Sequence, residues 1–192
     1  MSGPFAIDDF DAISRLTLDS WGSAVDRDWS VPAGTLEWSC WRTADHTVDC
    51  VFSYAFMLAT RRQHAYPNFS EIHAPDGAPP QDLVDGLGGA CELLRASIVA
   101  APAGTTAIFG YDGNLQPLVG DGGDFAARGA HELILHAHDV CTGLGVAFEP
   151  PSDVCERLLD HTAGWPRVGA VTRSADPWSD LLVRSGRPAR NR

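Results

Sequence analysis

The stretch DFAARGAHELILHAHDVCTGL, residues 124–144, decides how this chain reads. It contains no proline, and its spacing predicts a helix closed by Gly143 and Gly145. With Glu132 placed at zero and about 100° added per residue, Arg128 falls at about −40°, Asp139 at about −20° and His136 at about +40°. Four polar or ionisable side chains therefore share one stripe. Leu133, Ala137, Val140 and Leu144 bracket it at about 80–140°, and Leu135 at about 300° on the other flank. A polar stripe between two apolar ones faces the protein interior. The same wheel puts His131 and His138 at about 260° and 240°, as the solvent-facing pair.

Glu132 and His136, one turn apart, project a carboxylate oxygen and an imidazole nitrogen that grip one ion. An inward carboxylate is expensive without a counter-charge, and a divalent metal supplies it. Asp139 is spaced to accept the other ring N–H of His136 and orient it. Arg128 is spaced to pair with Glu132 or to hold an anionic substrate. The competing reading is a surface salt bridge between Arg128 and Glu132, with His136 a bystander. A third metal ligand must come from elsewhere. His46 stands on a second helical stretch, followed along its stripe by Cys50, Ser53 and Met57. His64, His73 and His161 are weaker rivals. A satisfied core histidine is the alternative role for His46. The set His46, Glu132 and His136 leaves a coordination position open, as catalytic zinc sites do. Nickel, iron and manganese accept the same ligand types.

Working outward, residues 9–25 carry apolar side chains at helical spacing and predict a first helix. A linker follows over 26–40, broken by Pro32 and Gly34. Residues 41–62 lack glycine and proline and are apolar on more than one face, which predicts a buried second helix. A polar loop spans 63–80, and a third helix spans 81–101, with Val84, Leu87, Cys91, Leu94 and Ile98 as a narrow seam. The Gly-rich stretch 105–123 contains Ala107, Ile108 and Phe109 as a short extended piece. Ser152 is the expected N-cap of a short fifth helix ending near Thr162, and Trp178 to Val183 form one more apolar piece. Four long helices with mid-length loops predict an all-α fold, a four-helix bundle with a crossover connection and short C-terminal helices. A single domain covers 1–192, with a core over about 5–164 and a tail over 165–192. The Gly-rich stretch keeps an α+β arrangement as the second reading.

Composition bounds the partners. All 14 basic residues are arginine against 25 acidic ones, a net charge of −11. An acidic surface excludes nucleic acid as the main partner, and the missing lysine removes Schiff-base chemistry. No run of about 18 apolar residues exists, so no membrane helix is expected. The five cysteines include no Cys-x-x-Cys pair, which argues against a disulfide scaffold and for a reducing, cytoplasmic setting. Cys91 and Cys141 read as core residues. Cys50, one turn from His46, is placed to approach a metal, and Trp38 and Trp41 to line a pocket mouth.

The stretch WSCWRTADH, residues 38–46, resembles the DinB-like superfamily, in the branch named for mycothiol-dependent maleylpyruvate isomerase. There a tryptophan precedes the helix bearing the first histidine ligand. The segment from Glu132 through His136 and Asp139 to Gly145 is similar to the second ligand motif, and the tail from Asp176 to Arg187 to those of single-domain relatives. The resemblance implies a four-helix bundle and a divalent metal, usually zinc, at His46, Glu132 and His136. It also implies a low-molecular-weight thiol such as mycothiol; Trp38, Trp41 and Cys50, by their positions near His46, are the candidate residues to bind it. The chemistry implied is S-transfer to, or isomerisation of, a small electrophile, with Asp139 and Arg128 as candidate catalytic groups. The isomerase has a further C-terminal domain that the tail here is too short to supply, so maleylpyruvate itself is not the expected substrate. Two other functions fit the same residues. One is a metal-activated hydrolase with Asp139 or Asp49 as base; the other is a non-catalytic metal or small-ligand carrier. A monomer and a homodimer are both compatible with the sequence.

Overall fold

The structure is a computed structural model that describes residues 4–67, 71–166 and 169–189. Parts of the predicted N-terminus, loop 63–80 and tail 165–192 therefore lie outside the described residues. Among the described residues the chain forms α1 (Ile7–Gly22), α2 (Cys40–Thr60), α3 (Pro80–Ala100), β1 (Ala107–Tyr111), β2 (Pro117–Gly120), α4 (Gly122–Leu144), α5 (Ser152–His161) and α6 (Pro177–Arg184). The fold is mainly helical, and the extended piece at Ala107 is the first strand of an antiparallel hairpin. Asp112 shapes the hairpin turn by accepting the N–H groups of Asn114 and Gln116 on one oxygen.

Local chemistry sets the helix ends. The Ser39 hydroxyl accepts the Arg42 N–H at the start of α2. Asp121 and Asp124 form a reciprocal capping box at the start of α4, two residues earlier than the spacing predicts. α1 stops three residues short of the predicted end, because the Ala24 carbonyl accepts the Trp29 indole N–H and the Arg27 N–H instead of continuing the helix. Ser152 is not the cap of α5. It is the first helical residue, and Pro151 occupies the cap position with no side-chain bond.

α2 packs on α3 and α4, and α1 on α3 and α4, around a core that includes Phe10, Trp21, Leu87, Leu94, Phe125 and Leu133. Two glycines of α4 make this packing possible. A Cβ on Gly129 would lie 2.7 Å from Leu94 and 2.9 Å from Phe10, so its absence sets the approach of α1 and α3. Gly143, expected as a terminator, is still helical. A Cβ there would lie 2.3 Å from the Pro32 carbonyl of the linker, and the left-handed cap falls on Gly145 alone. Among the described residues no helix is long and apolar enough to cross a membrane.

Candidate metal centre

The crossing of α2 and α4 carries the cluster. His46 comes from the second turn of α2, and Glu132 and His136 from the middle of α4. One donor atom from each lies within 4.8 Å of the other two. The Nε2 of His136 is 3.5 Å from the Oε2 of Glu132. Donors on a tetrahedral zinc with bonds of ~2.0–2.1 Å sit ~3.4 Å apart, so small side-chain movements suffice to close on an ion. The His46 and His136 rings meet edge-on, with centroids 5.3 Å apart.

Glu132 is the hub. Its Oε1 accepts the Tyr54 hydroxyl at 3.1 Å and pairs with Arg128 Nη2 at 3.1 Å. Arg128 Nε donates to the Tyr54 oxygen at 3.0 Å, which closes a three-membered ring of contacts. Burial opposes the charge on Glu132, but the hydrogen bond to His136 and the Arg128 guanidinium outweigh it and hold the carboxyl far below its usual range. The same competition runs in reverse at His136. Burial lowers its pKa, while the hydrogen bonds to Asp139 and Glu132 overcome that and push it up to about 9. Burial, followed by the charge of His136, lowers the pKa of His46, so its lone pair is free to ligate. The metal-free cluster thus holds a proton where an ion would place its charge, and its donor set of two imidazoles and one carboxylate suits zinc.

Asp139 stands behind His136, with Oδ2 at 3.3 Å from Nδ1. Both its oxygens also receive Arg187 from beyond α6, at 2.8 Å to Oδ1 and 2.5 Å to Oδ2. Burial works against its ionisation, but Arg187 and His136 more than compensate and lower its pKa. With both oxygens committed and only 2% of its surface exposed, Asp139 is placed to orient a ligand rather than to meet substrate.

The other candidates divide. Trp38 is exposed, and its ring edge meets His46 at a centroid distance of 5.2 Å. Trp41 turns the other way, its indole N–H donating to the Ala78 carbonyl at 2.8 Å. The Cys50 Sγ is 3.4 Å from His46 Nε2 but outside the mutual donor set. Burial and then the negative charge of Glu132 push its thiol up, leaving it protonated. His73 is held by Asp45 at 2.9 Å, His161 by Asp124 at 3.0 Å, and His64 is exposed. Asp49, an alternative base, accepts the Ile72 N–H at 2.9 Å. Cys91 and Cys141 are buried, as core residues are.

His131 and His138 are not solvent-facing. Both are half-buried, because the hairpin covers one part of the outer face of α4 and the C-terminal helices cover another. His138 meets the Trp178 ring of α6 at 5.4 Å, and burial pushes His131 down to about 4. Sequence reasoning also missed Tyr54 and Arg187. Tyr54 had a signal, since it continues the four-residue spacing of His46 and Cys50; Arg187 had only its place at the end of the tail segment, with nothing in its spacing to tie it to Asp139. Comparison of the chain with family models, with curated proteins and with solved structures finds no match.

Proposed function

We propose that this protein is a divalent-metal-dependent enzyme, with zinc held by His46, Glu132 and His136 and a low-molecular-weight thiol of the mycothiol type as co-substrate. The observation that carries this reading is the mutual proximity of those three donors, two of them on one helix and the third across the core. We read α1–α4 accordingly as a DinB-like four-helix bundle, its β-hairpin lying in the connection from α3 to α4. A bound zinc ion supplies Lewis acidity that lowers the pKa of a thiol.

The chain's own residues do the rest. Asp139 orients His136, and Arg187 orients Asp139. Arg128 and Tyr54 hold the Glu132 carboxylate in one rotamer. Trp38 covers His46 on the exposed side, where a thiol would enter. The thiol would release its proton to solvent, and its sulfur would then bond to an electrophilic carbon of the second substrate. In transfer, the leaving group departs with the bonding pair; in isomerisation, the thiolate adds, the former double bond rotates and the thiolate leaves. The hydrolase reading is weaker, because of its two candidate bases Asp139 has both oxygens engaged by Arg187 and His136, and Asp49 accepts the Ile72 N–H.

Elemental analysis of the purified protein tests the reading. One equivalent of divalent metal is expected, lost in His46→Ala. Titration of the cobalt-substituted protein with a thiol should raise a sulfur-to-metal charge-transfer band. Absence of the metal, or of the band, defeats the proposal at the corresponding step.

A further inference from the structure

A cavity of about 340 Å³ shares Arg128 with the metal cluster, yet none of His46, Glu132 and His136 lines it. Its walls come from α4, the hairpin, Tyr66, and the segments around Trp165 and Arg184. Although the chain is strongly acidic, no carboxylate among the described residues lines this space. Arg128 and Arg184 do, with the His131 imidazole between them in sequence.

The two arginines are not equivalent. The charge of Arg128 is answered by Glu132 at 3.1 Å. Arg184 donates Nη1 to the Leu159 carbonyl at 3.2 Å and Nη2 to the Thr162 hydroxyl, both uncharged acceptors. Its Nε is buried without an acceptor, and no carboxylate pairs with it among the described residues. A half-buried guanidinium facing a cavity without a counter-ion is a site for one negative charge.

The rest of the wall is aromatic. Phe109 and Trp165 pack with centroids 5.1 Å apart, and Tyr66 meets Tyr111 edge-on at 4.8 Å. Such faces accept a flat apolar body, and the volume lies at the small end of the ~300–1,000 Å³ range of ligand sites. One unanswered positive charge matches a monoanion better than a dianion.

We propose that this cavity binds a small aryl monocarboxylate, its carboxylate on Arg184 and the free edge of Arg128 and its ring between the aromatic pairs. The site stands on its own walls and needs no metal, so it is tested on metal-free protein, where failure leaves the metal reading untouched.

The probe is benzoate, followed by calorimetric titration. Saturable one-to-one binding is expected, with benzyl alcohol and inorganic phosphate at least about tenfold weaker. Arg184→Gln should weaken benzoate about tenfold or more. Because Arg184 also ties α6 to α5, a second variant protects the test. A Cβ at Gly110 would meet Leu118 at 3.5 Å and the Tyr66 hydroxyl at 4.0 Å, ordinary contacts at the cavity wall. Gly110→Val therefore fills the space without removing a charge, and should also weaken benzoate at least about tenfold. No saturable binding up to about 10 mM benzoate, equal affinity for benzyl alcohol or phosphate, or unchanged affinity in Gly110→Val would each overturn the proposal.

Discussion

The two flanks of α4 differ in how their charges are answered. Toward α2, each charged group has a partner: Glu132 has Arg128, Tyr54 and His136, and His136 has Asp139, which in turn has Arg187. Toward the hairpin and the tail, Arg184 lines a cavity with no carboxylate among the described residues. A buried network closes on itself only when its charges sum to something the site can tolerate. On the α2 flank the balance is reached with a proton on His136, a place that a cation can take over. On the other flank no carboxylate among the described residues lines the cavity beside Arg184, which is the basis of the proposed anion site. The difference teaches that burial alone does not mark a functional site; the sign of the unmet charge does.

The strongest way to break this contrast is Glu132→Ala. It removes the hub and leaves Arg128 without its carboxylate, so metal binding should vanish. The metal-free protein should lose about 3 kcal/mol or more, read as a lowered Tm; retained metal would sink the cluster. Next comes Arg187→Ala, which frees Asp139 and hence His136. Metal affinity should fall about 10–100-fold in chelator competition while the stoichiometry of one ion persists. An unchanged affinity would show that the tail merely packs there.

The pH dependence sharpens the same flank. Because the folded pKa of His136 is raised to about 9, metal must displace a proton throughout the neutral range. Apparent metal affinity should therefore rise about tenfold per pH unit toward pH 9 and level off above it. For the metal-free protein the sign is opposite. The stability that His136 contributes is full below its unfolded value near 6.5 and is lost as pH rises through 9. Metal affinity flat between pH 7 and 9 would mean that the proton is not on the ligand.

Smaller effects test the separateness of the two sides. Tyr54→Phe removes one hydroxyl between Arg128 and Glu132 and should cost about 1 kcal/mol in thermal unfolding. Gly110→Val, on the cavity side, should change metal affinity by less than about twofold. A larger change would show the flanks to be one coupled unit.

Much of the site was legible because α4 is an uninterrupted helix. Its periodicity alone puts Arg128, Glu132, His136 and Asp139 on one stripe, and the structure has them in contact along it. The same periodicity misled for His131 and His138. A helical wheel gives angles, but it does not tell which neighbours cover them, and here the hairpin and α6 do. Trp38 and Trp41 show a related limit. Three residues apart, they straddle the start of α2, where the backbone passes from extended to helical, and their rings part.

By itself, the sequence determined the helices and the inward stripe of α4, because these depend on neighbours within about one turn, but it misplaced the cap of α5 at Ser152 and the end of α4 at Gly143. It also determined the sign of the surface and the absence of amine nucleophiles. Only the tertiary structure decided that His46 meets Glu132 and His136 across the core, that Arg187 reaches back 48 residues to Asp139, and that Arg184 lines a largely aromatic space it shares with Arg128 and His131. Those contacts depend on how helices cross and on where the chain returns. Neither is written in local spacing; both follow from the glycines, the aromatic packing and the loops that set the approach of one helix to another.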